Sequence, residues 1–203
     1  SKHLMGRNYD FKFDTSAMIV RCRPHGGFSS IAFAALDNIG ANDPMGFGSR
    51  IACLTAPFIC LDGVNEKGVS IAVLTLDSEP TRQKTEGRPT IATSLVIRLV
   101  LDRADSTEAA VELIGGYAML ASSGRDYHFF ITDASGDSRV VEYDCDSPER
   151  TMTVTRVEAT TNFYAMHENR VLPHQRNGRY GHGRERYDSV MDVIERTRGS
   201  ATP

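Results

Sequence analysis

The chain has 203 residues, of which 40% are hydrophobic and 24% charged, with 8 prolines, 17 glycines and a formal net charge of −3. That composition excludes a disordered chain and leaves room for one core, so a single domain over residues 1–203 is expected. The small charge names no partner. No apolar run approaches the roughly 20 residues that span a bilayer, and nothing at the start has the order of a secretory leader, so a soluble, cytoplasmic protein without a membrane span is expected.

In chain order, "SAMIVRCRP", "FSSIAFAA", "IACLTAPFICL" and "GVSIAVLTL" are short apolar runs bounded by Gly, Pro, Asn and Asp, and each reads as a strand. Between the third and fourth, "DGVNEKG" (62–68) supplies Asp62-Gly63 and Lys67-Gly68 as turn chemistry for a hairpin with an elaborated loop. From Pro89 the pattern changes. "PTIATSLVIRLVLDRAD" sets Ile91, Leu95 and Leu99 beside Ala92, Val96 and Val100, which predicts a helix with proline in its first turn. "DSTEAAVELIGG" follows with capping residues Asp105 and Ser106, an early Glu108 and a Gly115-Gly116 stop, predicting a second helix. "DYHFFITDASGDSRVVEYD" then gives two strands around Ser135-Gly136, and "RTMTVTRVEATTNFY" continues extended toward Asn162, as a second sheet. Finally Tyr187, Val190, Met191 and Ile194 fall at i, i+3, i+4 and i+7 and make "RERYDSVMDVIERTR" an amphipathic helix.

Other signals carry less. Cys22, Cys53, Cys60 and Cys145 lack metal spacing and read as buried, reduced thiols. The six histidines, His3, His25, His128, His167, His174 and His182, show no paired helical spacing, so no metal is expected. "HENRVLPHQRNGRYGHGRER" is basic, but it holds one tyrosine within an acidic chain and reads as a solvated loop, not a nucleic-acid surface. "PHGGF" and "IGANDPMGFG" read as loops without the setting of a phosphate cradle.

The unusual stretch is "GRNYDF", residues 6–11, where Arg7 and Asp10 stand three apart. In a regular strand they would face opposite sides, so the pair needs a partner or a bend. Taken with "APFICLDGVNEKGVSIAVLTL", "HFFITDASGDSRVVEY", "TTNF" and "RERY", it resembles the linear-amide branch of the N-terminal nucleophile hydrolases, the family of choloylglycine hydrolase and penicillin V acylase. The likeness runs from about residue 4 to about residue 190, in five ordered blocks. It implies an α+β fold, the four-layer αββα sandwich, and hydrolysis of a linear carbon-nitrogen amide with no cofactor. The substrate would be a small-molecule amide such as a conjugated bile salt, penicillin V or an N-acyl amine. Relatives often assemble as homotetramers, and these residues neither support nor contradict such an oligomer.

In that family the nucleophile is an amino-terminal cysteine whose own α-amine, with a pKa of about 7.7 to 8.0, serves as base. The resemblance places Arg7 beside the thiol, Asp10 at the terminal amine, Asn162 as an oxyanion donor and Arg186 near the nucleophile, with Arg184 as the alternative in register. Two departures stand out. Only "SKHLM" precedes the "GRN" block, so the cysteine is expected upstream of Ser1 and the sandwich is expected to be incomplete at both ends. Thr75 occupies a position where many relatives carry asparagine or tyrosine, and its hydroxyl is the remaining candidate for a substrate contact there. An acyltransferase of the same fold, and a binding domain that lost its nucleophile, are the competing functions.

Overall fold

In the computed structural model, residues 3–9, 16–42, 46–167 and 182–200 are described. The elements run β1 (Ala17–Cys22), β2 (Ser30–Ala35), α1 (Phe47–Ala52), β3 (Cys60–Asn65), β4 (Ser70–Leu76), β5 (Thr90–Ala92), α2 (Thr93–Arg103), α3 (Thr107–Gly115), β6 (Ala118–Leu120), β7 (Asp126–Thr132), β8 (Ser138–Tyr143), β9 (Met152–Arg156) and α4 (Gly183–Thr197). Seven strands form one antiparallel sheet in the order β1-β2-β3-β4-β7-β8-β9, and β5 and β6 pair in parallel beside it.

Contrary to expectation, strands β7 to β9 do not form a sheet of their own. β7 docks directly on β4, from Ser70 opposite Thr132 to Leu76 opposite Asp126, so the strands after the helices extend the first sheet. The reason lies in β4, which is apolar on both faces and fits a central strand. The run "IACLTAPFICL" is also not one strand. α1 and a 3-10 helix over Cys53–Phe58 occupy most of it, and β3 begins only at Cys60. Asp62-Gly63 lies inside β3 instead of in a turn, and the chain reverses at Glu66-Lys67. Gly63 is there because space forbids a side chain: a Cβ would lie 2.6 Å from Leu101 Cδ1 and 2.8 Å from the Ile31 carbonyl.

Successive side chains alternate across the sheet, which assigns its two faces. Val20, Ala32, Ile71, Phe129, Ile131 and Val141 face α2 and α3 and form the core with Val96, Ile97, Val100, Leu101, Ala110 and Ile114. The predicted stripe on α2 holds at Val96 and Val100 and fails elsewhere. Ile91 and Ala92 belong to β5, Leu95 is 41% exposed, and the buried line runs through Thr93, Val96, Ile97, Val100 and Leu101. α3 follows its signals, with the Ser106 hydroxyl accepting from the Ala109 N–H.

The opposite face carries Ile19, Phe33, Asp62, Ala72 and Phe130 in one row and Ile31 and Val64 in the next. Ile19, Ile31 and Val64 are exposed. The described layers are thus one helical layer and one sheet with an apolar outer face, the face that meets a second sheet in an αββα sandwich. Two segments cross it. Residues 3–9 run from His3, packed at the Gly136 turn, to Tyr9, whose ring stands 5.8 Å from Phe33, and residues 161–167 cover the β7–β8 end. No helix among the described residues is long and apolar enough to cross a membrane.

One buried side chain joins the β3–β4 turn to the helical layer. Asn65 donates to the carbonyls of Leu101 (3.1 Å) and Ala104 (2.7 Å) at the end of α2, and accepts from the N–H groups of Lys67 and Val69 at 3.0 Å each. Every hydrogen-bonding position of the amide group is used. Asn65→Ala leaves four backbone groups short of a partner and is expected to cost about 2 to 4 kcal/mol, measured as a drop in urea midpoint at unchanged m-value. A change under about 0.5 kcal/mol would show that water replaces the amide freely.

Candidate active site

The ladder between β3 and β4 ends at Asp62 opposite Ala72. Beyond that point the carbonyls of Val73 and Thr75 are met by side chains. Arg7 Nη2 donates to the Val73 carbonyl at 2.9 Å, and Asn162 Nδ2 donates to the Thr75 carbonyl at 2.7 Å. Carbonyls two residues apart leave a strand by the same edge and stand about 6.7 Å apart, so the two side chains are neighbours along one edge. They come from opposite ends of the chain.

Arg7 is fixed by a second contact, Nη1 to Asp62 Oδ2 at 2.5 Å, and lies 5.7 Å from the Tyr9 ring centroid. Its Nε is buried and has no hydrogen-bond partner among the described residues. The partner for Arg7 is therefore Asp62, on the outer face of β3. Asp10, expected at the terminal amine, lies outside the described residues.

Asn162 is held at both ends of its amide. Arg186 Nη2 donates to its Oδ1 at 2.7 Å while its Nδ2 faces the Thr75 carbonyl. A guanidinium can only donate and a carbonyl can only accept, so the two partners together fix which end of the amide is nitrogen. One Nδ2 hydrogen is committed to Thr75 and the other remains available to a ligand. Arg186 sits in the first turn of α4, where the helix field disfavours a cation, and the contact with Asn162 is the compensating interaction. Arg184 instead pairs with Asp188 at 2.9 Å and lies against the Tyr187 ring. The Thr75 backbone carbonyl is the acceptor for Asn162.

Local packing sets the Asn162 backbone. The Thr161 hydroxyl donates to the Gly183 carbonyl at 2.7 Å, Phe163 meets the Tyr187 ring edge-on at 5.5 Å, and the Tyr164 hydroxyl donates to the buried Asp126 at 2.9 Å. Arg7, the Thr75 backbone, Asn162 and Arg186 are thus brought to one strand edge. Two open surface depressions, of about 800 and about 480 Å³, lie elsewhere. The first is lined by Glu108, Gly136, Arg139, Arg156 and Tyr187, the second by Asp77, Glu79, Arg125, Cys145 and Asp146, and neither includes the clustered residues.

Cys60 and Cys145 are not set up as nucleophiles. Burial pushes the Cys60 thiol up to about 11, and it donates to the Ala56 carbonyl at 3.3 Å. Burial also raises Cys145 to about 11. A reactive cysteine needs the opposite shift. One group among the described residues has donor atoms close enough for a metal: Asp144, Cys145, Asp146 and His167, all within 4.8 Å of one another. His167 Nε2 stands 3.9 Å from Asp146 and 4.0 Å from Asp144. This cluster escaped the sequence because His167 comes from a different element.

The family model for linear amide C-N hydrolases, choloylglycine hydrolase family, matches residues 1–162. The chain belongs to this family. Among solved structures it is similar to conjugated bile acid hydrolase from Clostridium perfringens, solved as an arginine-to-leucine and as a cysteine-to-alanine variant. Each match has 18% identity, a TM-score of 0.50 and coverage of 75% of this chain and 46% of the other. It is also similar to penicillin V acylase from Agrobacterium tumefaciens, with 21% identity, a TM-score of 0.44 and coverage of 64% and 33%. The chain therefore spans less than half the length of these proteins. The bile acid hydrolase match shows the fold, that of the N-terminal nucleophile hydrolases. The family match includes Arg7 and Asn162 and ends before Arg186, which joins them only through its hydrogen bond to Asn162.

The two contacts of Arg7 generate a test. A lysine ammonium lacks the planar fork that reaches Asp62 and the Val73 carbonyl from separate nitrogens, so Arg7→Lys is expected to cost about 1 to 2 kcal/mol in chemical denaturation. Equal stability of Arg7→Lys and the wild type would show that the second contact carries nothing.

Proposed function

We propose that this chain is the core of an amidohydrolase cleaving a linear carbon-nitrogen bond, with a cysteine upstream of Ser1 as nucleophile. The observation that supports it most is the amide of Asn162, clamped between the Thr75 carbonyl and Arg186, one strand repeat from the guanidinium of Arg7.

In this reading an upstream strand brings its terminal cysteine alongside the open edge of β4. The thiolate attacks the substrate carbonyl, and the carbonyl oxygen becomes an oxyanion. The free Nδ2 hydrogen of Asn162 donates to it, a contact worth about 3 to 4 kcal/mol when preorganised. Arg186 contributes by holding the amide in the donating orientation. Arg7 offers its Nε–H to the thiolate, while Asp62 and Val73 fix the plane of the guanidinium. Asp10 holds the terminal amine, which takes the thiol proton and returns it to the leaving nitrogen. Water then releases the acyl group. Thr75 binds through its carbonyl, so its side chain is free to border the substrate. The whole chain acts as one domain on a small-molecule amide, without a cofactor.

A conjugated bile salt, phenoxymethyl penicillin and a long-chain N-acyl amine are the three substrate classes to try on the protein encoded by the full gene. Turnover of one, with the acyl group trapped on a terminal cysteine in the mass spectrum, is the expected result. Asn162→Ala should then lower kcat by about 100- to 1,000-fold with KM little changed. A serine or alanine at the processed terminus would favour a binding domain, and faster product formation with an added amine acceptor would favour acyl transfer.

A further inference from the structure

Glu142 lies on β8, on the same outer face of the sheet as the candidate site, with none of its side chain exposed. Three donors converge on it. His128 Nδ1 on β7 lies 2.8 Å from Oε1, the Ala165 N–H donates to Oε1 at 2.8 Å, and the Met166 N–H donates to Oε2 at 2.8 Å. The backbone groups can only donate, and a carboxylate can only accept, which assigns the Nδ1 hydrogen to His128. His128 is equally buried, and its Nε2 has no hydrogen-bond partner among the described residues. A buried imidazole with only one of its two nitrogens paired carries a desolvation cost.

What Glu142 does follows from where Ala165 and Met166 lie. They open the 3-10 helix Ala165–His167, three and four residues after Asn162. The first N–H groups of a helix have no partner inside it, and the carboxylate supplies one for each. The segment is also tied down by the Tyr164 hydroxyl to Asp126, by Met166 Sδ, which accepts from the Thr153 hydroxyl at 3.5 Å, and by His167 beside Asp144 and Asp146. Among the described residues, however, Glu142 alone meets the two N–H groups that open the helix. The Asn162 amide, in turn, needs its nitrogen within hydrogen-bond reach of Thr75, and preorganised donors tolerate displacements of only about 0.5 Å.

We propose that Glu142, oriented by His128, is a positioning residue for Asn162. It ties the segment carrying the oxyanion donor to β8 and so sets where the Nδ2 hydrogen points. The inference rests on the functional reading only for what that donor is for; the positioning itself is a property of the folded chain.

The test reads Asn162 directly. In the 15N-labelled protein the side-chain amide pair of Asn162 is assigned by its loss in Asn162→Ala. Glu142→Gln keeps the volume but turns an NH2 toward one of three donors. It is expected to speed hydrogen exchange of the Asn162 side chain by about tenfold, the loss of one hydrogen bond, while backbone amides of β1 to β3 keep their protection. His128→Asn, which leaves the carboxylate in place, should move the same signal in the same direction by less, and it decides the matter if Glu142→Gln does not fold. Asn65→Ala is the control for general loss of stability and should leave the pair unchanged. An unchanged Asn162 signal in the folded Glu142 or His128 variant, or an equal change in Asn65→Ala, overturns the proposal.

In the full gene product Glu142→Gln should also lower kcat by about 10- to 100-fold with KM within about twofold, the signature of a misplaced group that acts only in the transition state. If no form of the protein hydrolyses an amide, the functional reading fails while the exchange data still decide the positioning role.

Discussion

The site depends on an interruption in the sheet. β3 stops pairing with β4 after Ala72, and from there the β4 edge carries carbonyls whose partners must be found elsewhere. Unpaired backbone groups in a protein interior cost free energy, so the edge is a standing demand for donors. Arg7 and Asn162 answer it from two remote parts of the chain, and in doing so each is fixed to better than a rotamer. Backbone geometry thereby becomes side-chain geometry. The spacing between guanidinium and amide is set by the strand repeat and not by either segment's own conformation.

That arrangement works only if the sheet is rigid beneath it. Rigidity comes from the other face, where α2 and α3 bury Val96, Val100, Leu101 and Ile114 against Ile71, Phe129 and Ile131. Asn65 ties the β3–β4 turn to the end of α2, at the opposite end of β4 from the Thr75 carbonyl. Chemistry gathers on one face of the sheet and packing on the other. The outer face keeps Ile19, Ile31 and Val64 exposed beside the site, which suits a surface meant to be covered.

Much of this was legible in the residues, and what was missed has a common cause. Short apolar runs bounded by turn residues located β1, β2, β4, β7 and β8, and the Ser106 cap with Gly115-Gly116 marked α3, because local chemistry alone decides those elements. "IACLTAPFICL" misled because short apolar runs do not distinguish a strand from a buried or amphipathic turn of helix, and Pro57 sits inside a 3-10 helix there. Asp62-Gly63 looked like a turn because the pair is common in turns. Its glycine answers instead to Leu101, almost forty residues away, which no local pattern records. The site shows the same division. Arg7, Asn162 and Arg186 were named by resemblance, whereas Asp62 and the Val73 and Thr75 carbonyls were invisible, since a backbone acceptor has no signature in sequence.

The Asp62 contact also changes what Arg7 can contribute. A free guanidinium beside a thiol favours the thiolate by its charge. With a carboxylate 2.5 Å from Nη1, much of that field is cancelled at a distance, and what survives is short-ranged and directional. The remaining Nε–H can donate to an anion in the guanidinium plane but does little for one elsewhere. Under the proposed reading, Arg7 in this setting selects a position for negative charge more than it lowers a pKa, and Asn162, locked by Arg186 and Thr75, does the same for the oxyanion. Both groups would then act as oriented dipoles on a fixed strand edge, an arrangement that suits the charge distribution of amide addition without requiring either side chain to move when the charge appears.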